Sequence, residues 1–291
     1  MKISVIQTGL PNGAALDGDM EQSRKASDKA LNKCFELLEQ AYREGAELAV
    51  TPEMINMIIN YRDERYIGVR VLEGLDGPAV ERFSRFAKEK SMHIVAGLGL
   101  TLDGKPYNCG VLFNQRGEIV GVHKKVHMPN GEEMHITPGN EFKVFKTDIG
   151  NIGMLICWDL EFPEAVAELA LGGADLLACP TMGWMNFIGL VRAYDHNVHI
   201  AAAMGAGDSG VSFLDPSCIV DNMGQIICAA ERRAEQTVTA DVDLTKEPPN
   251  IWPHIDASSR RMARLIRRAP EAYRLINKPV EETPLYKRYY G

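Results

Sequence analysis

The chain has 291 residues, 45% of them hydrophobic and 24% charged, an ordinary globular composition that excludes a largely disordered protein. Thirty-two Lys and Arg against 39 Asp and Glu leave a formal charge of −7, so no global positive field draws in nucleic acid or an anionic membrane. The longest apolar runs, such as Ile94 to Leu100, have strand length and fall far short of the roughly 20 residues of a membrane helix.

Residues 2–8 read as a buried strand; the N-terminus shows no apolar leader with a cleavage site. From Asp19 to Glu44 apolar residues recur at helical spacing (Met20, Ala26, Ala30, Cys34, Leu37, Leu38, Ala41), with Gly45 as the stop. Leu48 to Thr51 is a strand that ends at Pro52-Glu53. Pro78 to Lys90 is a helix with proline in its first turn, and His93 to Leu100 a strand. Gly110 to Asn114 and Glu118 to Val122 flank a hairpin turn at Gln115-Arg116-Gly117. The second half repeats the alternation. Strand 152–157 leads to helix 163–171, strand 175–179, helix 189–197 and strand 198–204. Short strands at 217–220, 225–229 and 237–242 follow. Strands alternating with amphipathic helices predict an α/β fold, and the hairpins make the sheets mixed rather than parallel.

No low-complexity linker divides the chain, which predicts one domain over residues 1–245. Residues 246–291 differ: they carry Pro248, Pro249, Pro253, Pro270, Pro279 and Pro284 and a short basic helical piece, Arg260 to Arg268. They read as an extension packed on the domain or on a dimer partner, with a mobile terminus as the other reading.

The six cysteines (34, 109, 157, 179, 218, 228) include no CxxC pair, which speaks against a zinc site, and a disulfide framework does not suit a chain this long without an export signal. Reduced thiols in a cytoplasm are expected. Cys157 stands out because an apolar strand ends at it and a helix begins near Pro163. Open α/β sheets put reactive groups at such strand ends, and the backbone N–H groups that follow can meet an oxyanion. A buried structural thiol is the alternative. Glu53 ends a buried strand, where a carboxylate is costly unless paired or functional; it is either the base for a thiol or a solvated loop residue. In His123-Lys124-Lys125-Val126-His127, alternation puts His123, Lys125 and His127 on one face and Lys124 on the other. One inward lysine there could hold an anionic intermediate; a solvated strand edge is the alternative. Two glutamates, Glu132 and Glu133, lie in the next loop.

In series, Pro52-Glu53, Lys125-Val126-His127, Cys157-Trp158-Asp159 and Phe162-Pro163-Glu164 resemble the nitrilase superfamily of carbon–nitrogen hydrolases. Tyr107-Asn108, Pro138-Gly139, Arg192-Ala193, the turn Asp221 to Gly224 and Asp243-Leu244 extend the resemblance over roughly residues 2–244. It implies a four-layer α-β-β-α sandwich of two mixed β-sheets, paired into a homodimer, and a reaction that needs no metal or organic cofactor. It also implies roles. Cys157 is the nucleophile, Glu53 the general base, and Lys125 the stabiliser of the tetrahedral intermediate, with the Trp158 N–H as second oxyanion donor. Glu132, six residues before Pro138, positions substrate and lysine. The thioester is then hydrolysed after ammonia or an amine has left. The Cys-Trp-Asp sequence resembles the amidase and N-carbamoyl amide branches more than the nitrile hydrolysers. Leu160 and Glu161 stand where cleavers of N-carbamoyl amino acids commonly carry arginine, so Glu161 either favours a neutral or cationic amide or complements a helix dipole. Trp184, in the loop after Pro180, is expected in an apolar wall of the substrate pocket, as is the stretch Met54 to Tyr61; core or dimer packing is the alternative for both. The expected partner is a small-molecule amide, and neither nucleic acid nor membrane. Nitrile hydrolysis, acyl transfer to an amine and a catalytically silent binding module are the competing functions.

Overall fold

A computed structural model describes residues 1–9, 20–57, 72–129, 131–206, 215–252 and 254–290. Asp19, Pro253 and the stretch 58–61 lie outside them. The chain divides into two compact units, Met1–Lys246 and Glu247–Gly291.

The first unit holds two mixed sheets. One runs in the order β12 (Gln236–Asp241), β1 (Lys2–Gly9), β2 (Leu48–Val50), β3 (His93–Leu102), β4 (Lys105–Phe113), β5 (Ile119–Lys124). The strands β1, β2 and β3 are parallel, and the others are added antiparallel. The other runs β11 (Ile226–Ala229), β10 (Cys218–Val220), β9 (His199–Ala206), β8 (Leu176–Thr181), β7 (Gly150–Met154), β6 (Val144–Thr147), with β7, β8 and β9 parallel. The sheets join at one corner, where Thr8 and Gly9 pair with Gly205 and Ala206.

Strand alternation sorts the side chains into layers. Ile3, Val5, Leu48, Val50, Val95 and Leu112 of the first sheet meet Ile152, Met154, Leu176, Ala178, Ala201 and Ala203 of the second in a dry central layer. Ile6, Ile94, Ala96 and Leu98 face the other way, onto helices α1 (Met20–Arg43) and α2 (Pro78–Lys90). Leu177, Cys179, Ile200 and Ala202 do the same beneath α3 (Pro163–Leu171) and α4 (Asn186–His196). The result is a helix–sheet–sheet–helix sandwich. Helix α2 spans the residues its periodicity predicts; β6 is not among the predicted strands, being four residues, three of them half-buried and Lys146 exposed, with little periodicity.

The second unit carries α5 (Arg260–Ile266), capped by Ser259, whose Oγ accepts the Met262 N–H at 3.2 Å, and α6 (Pro284–Tyr290). Leu275, Ile276, Val280, Leu285, Tyr289 and Tyr290 in this unit are exposed. Among the described residues no helix is long and apolar enough to cross a membrane.

One glycine ties the first sheet to the chain beyond β2. The Thr51 N–H donates to Val95 O at 2.9 Å and the Ile55 N–H to Gly97 O at 3.0 Å. This packs the Pro52-Glu53 backbone onto Gly97 so closely that a Cβ there would lie 2.2 Å from Pro52 O and 2.8 Å from the Glu53 Cα. Gly97→Ala must push that segment off its strand. The expected cost is about 1–3 kcal/mol, read from the urea unfolding midpoint; an unchanged midpoint would mean the segment yields freely.

Candidate active site

Four segments bring the polar residues together at one end of the sheets. Glu53 follows β2, and the next residue, Met54, has φ +48°. Lys125 follows β5; its N–H donates to Asn108 O at 2.9 Å on β4, and its own carbonyl accepts the Gly139 N–H at 2.7 Å. Gly139 lies so close to Lys124 O, 2.2 Å from where its Cβ would be, that only glycine fits. Glu132 opens a single 3-10 turn, Glu132–Met134, entered through Gly131 at φ +84°. Cys157 opens another, Cys157–Glu161, between β7 and α3.

Lys125 is only 2% exposed and Glu53 1%. The Lys125 ammonium donates to Glu53 Oε1 at 2.9 Å and to Glu132 Oε2 at 2.8 Å. Asn108 Nδ2 reaches the same two carboxylates, Glu53 Oε1 at 2.7 Å and Glu132 Oε1 at 3.2 Å. The second Glu53 oxygen accepts the Met182 N–H at 2.9 Å. Glu133, by contrast, is exposed. Burial works against the Lys125 charge, but Glu53, Cys157 and Glu132 outweigh it and hold the ammonium well above its usual range. The Glu132 carboxyl is raised, first by burial and then by the Glu53 charge, with Lys125 opposing.

Cys157 sits at φ +48°, a left-handed conformation that costs a side-chain-bearing residue strain. Its Sγ lies 3.8 Å from Gly183 O, to which it donates. Burial, then the Glu53 charge, pushes the thiol up to about 11, with Lys125 pulling the other way. The resting group is therefore a thiol at neutral pH, not a preformed thiolate.

Asp159 is fully buried two residues on, and it ties the cysteine turn to the lysine segment. Its Oδ2 accepts from Ile156 N at 3.1 Å and His123 Nε2 at 3.1 Å. Its Oδ1 accepts from Val126 N at 3.2 Å, His127 N at 2.8 Å and His127 Nδ1 at 3.0 Å. These bonds end β7 at Met154 rather than at Cys157 as the apolar run suggested: the Ile156 N–H turns to the carboxylate instead of the ladder. The His127 ring stacks on Phe162 at 3.6 Å between centroids. So His123 and His127 are committed to one carboxylate, and among the described residues no group of three or more His, Cys, Asp or Glu could hold a metal ion.

The three residues expected at the substrate fare differently. Trp158 is partly exposed and stands edge-on to Phe162 at 5.6 Å. Glu161 ends the cysteine turn, and Arg192 of α4 donates to its carbonyl at 2.9 Å and to that of Leu160 at 3.2 Å. Trp184 is 1% exposed and packs with the core beneath α3 and α4, its indole N–H on Asn186 Oδ1, which is the packing reading that the sequence leaves open beside the pocket wall. Met54, Ile55 and Met57 are likewise buried core. Sequence reading gave no role to Asn108 or to the Asp159 carboxylate. The available signals were an asparagine inside an apolar strand and an aspartate two residues past the cysteine.

Burial alone would raise the Asp159 carboxyl, but hydrogen bonds from His123 and His127 outweigh it and hold it well below the usual carboxylate range. Its stabilisation is therefore complete above the ordinary carboxylate pKa and is lost as pH falls through and below that range. Asp159→Asn should cost about 3 kcal/mol at pH 7. It should also flatten the decline of the urea midpoint below about pH 4. Parallel acid limbs in the two proteins would contradict this.

A model of the family described as carbon-nitrogen hydrolase matches residues 14–247. The chain is 28% identical to a nitrilase of Pyrococcus abyssi over 222 residues, covering 75% of this chain and 84% of that one. It is 30% identical to an omega-amidase of Xenopus tropicalis over 234 residues, covering 74% and 83%. The crystal structure of a carbon-nitrogen hydrolase from Helicobacter pylori G27 superposes with a TM-score of 0.70 at 23% identity, over 84% of this chain and 89% of that one, which speaks to the fold. The chain thus belongs to the carbon-nitrogen hydrolase family of the nitrilase superfamily, whose chemistry is hydrolysis of a carbon–nitrogen bond in a small amide or nitrile.

Proposed function

We propose that this protein hydrolyses a small amide through a thioester on Cys157. The observation that carries the reading is the buried Lys125 ammonium, held by Glu53 at 2.9 Å and Glu132 at 2.8 Å beside the Cys157 thiol. A nucleophile, a base and a fixed cation around one position are what acyl transfer requires.

In the first step Glu53 takes the thiol proton as the sulfur attacks the carbonyl carbon. A thiol pushed up to about 11 needs such a base during the attack. The oxyanion that forms is met by the Lys125 ammonium and the Trp158 N–H. Glu53 returns the proton to the departing nitrogen, and ammonia or an amine leaves. Glu53 then takes a proton from water, the hydroxyl attacks the thioester carbon, and the thiol leaves with the proton that Glu53 gives back. Glu132 keeps the ammonium in register and matches part of its charge, so that Lys125 is not drawn onto Glu53 alone. Asn108, donating to both carboxylates, fixes their separation. An amide rather than a nitrile is favoured by the Cys157-Trp158-Asp159 sequence.

The test is ammonia release from a panel of short aliphatic amides, ω-amides, N-carbamoyl amines, N-carbamoyl amino acids and nitriles, with Cys157→Ala as the blank. Release is expected from one amide class. Cys157→Ala should abolish it, Glu53→Gln should come close to doing so, and Lys125→Ala should lower the rate about 100-fold or more, as for other oxyanion donors. Near-normal release by purified Cys157→Ala protein would sink the reading. Product formed only when hydroxylamine is present would replace hydrolysis with acyl transfer.

A further inference from the structure

Thr181, the last residue of β8, is fully buried, and its backbone is pinned by pairing with Met204 of β9. Its Oγ accepts the Gly183 N–H at 3.1 Å and donates to Gly183 O at 2.8 Å. The Cys157 Sγ donates to the same Gly183 oxygen at 3.8 Å. Two donors, one hydroxyl and one thiol, thus converge side by side on a single carbonyl. The neighbouring Met182 N–H donates to Glu53 Oε2, so this short loop borders both ends of the proton's path from sulfur to carboxylate.

We propose that the Thr181 hydroxyl stabilises the Cys157 thiolate, rotating from the Gly183 carbonyl to the sulfur as the thiol proton passes to Glu53. The proposal rests on the reading of Cys157 as nucleophile and Glu53 as its base. The S–H bond breaks, an O–H bond forms on Glu53, and the negative charge moves from carboxylate to sulfur; no other reactant takes part. Once the proton has gone, the sulfur faces the Gly183 carbonyl oxygen with no hydrogen between them, an arrangement that repels. The threonine hydroxyl carries one hydrogen and turns about its C–O bond. It already has its acceptor role filled by the Gly183 N–H, so the hydrogen is the part free to move. Turning it to the sulfur replaces a neutral hydrogen bond with a charge-assisted one, the stronger kind. Thr181 and the Met182 N–H both act to lower the thiol pKa against the larger effect of burial. Residue 181 is also a strand end with a β-branched side chain, whose χ1 is stiff, so the hydroxyl oxygen stays in place while its hydrogen turns.

The experiment is the pH dependence of Cys157 alkylation by iodoacetamide in the full chain, with the modified peptide mapped by mass spectrometry. Thr181→Val and Thr181→Ala remove the hydroxyl, one keeping the volume and the other adding no methyl against the sulfur; urea midpoints establish that each is folded. At a fixed neutral pH the alkylation rate should fall about tenfold in both, the size of one lost hydrogen bond to a charged group. Thr181→Ser should restore most of it. With substrate, kcat should fall in parallel while KM moves far less. An unchanged alkylation profile in either folded variant would overturn the proposal, as would Thr181→Ser reacting as slowly as Thr181→Ala. Alkylation needs no turnover, so the two readings separate. A shifted profile in a protein that hydrolyses nothing on the panel supports the hydroxyl and fails the proposed function. An unshifted profile beside Cys157-dependent turnover does the reverse.

Discussion

An ammonium withdrawn from water between two carboxylates is the constraint around which this fold is arranged. An unpaired buried charge costs several kcal/mol or more, so Lys125 cannot be placed as it is unless Glu53 and Glu132 arrive with it. They come from different parts of the chain: the end of β2, the segment after β5 and a turn entered through Gly131. Asn108 on β4 donates to both carboxylates and accepts the Lys125 N–H through its own carbonyl. Gly97 and Gly139 allow the backbones to approach closely enough for those side chains to meet. Such a cluster is not an efficient way to stabilise a fold, since apolar residues of the same volume do as well or better. Its value lies in a preorganised positive charge in a dry site, where it acts on a developing oxyanion with little reorganisation.

The thiol is set against this cluster by a second buried charge. Asp159 receives N–H groups from both sides of the site, Ile156 before the cysteine and Val126 and His127 after the lysine. One carboxylate thereby fixes the distance between nucleophile turn and cation strand, while Arg192 holds the far end of that turn by its carbonyls. Positive φ at Met54 and at Cys157 places backbone strain beside the base and at the nucleophile. The dry layer between the sheets and the helix-covered faces outside them give the rigidity that keeps such strain from relaxing.

Much of the fold was legible because period-two and period-3.6 patterns are local. Pro78–Lys90 carries its proline at the start and an apolar face at Val80, Phe83 and Ala87, and the structure has that helix over the same residues. The grouping within the lysine segment was legible too, since alternation puts His123 with Lys125 and both are buried, but which face points inward was not. The Cys157 boundary was misread because apolarity continues through Leu155 and Ile156, while what ends the strand is a side-chain carboxylate three residues further on. For Trp184 the position after a strand end allows both a pocket wall and core packing; its burial rests on a partner for the indole N–H, Asn186, that no local pattern singles out. Asn108 acts on carboxylates 55 and 24 residues away, and Asp159 ties its turn to partners 32–36 residues away, which no local pattern reveals. The resemblance to the family supplied the order of Glu53, Lys125, Glu132 and Cys157 without their geometry.

Rapid acid quenching of the protein during turnover of its best amide, followed by intact-mass measurement and mapping of the modified peptide, tests the central claim most directly. The account predicts a mass increase equal to the acyl portion of the substrate, confined to the peptide carrying Cys157 and absent from Cys157→Ala. Full-rate turnover with the acyl group on another residue, or with Cys157→Ala as active as the parent, would contradict it.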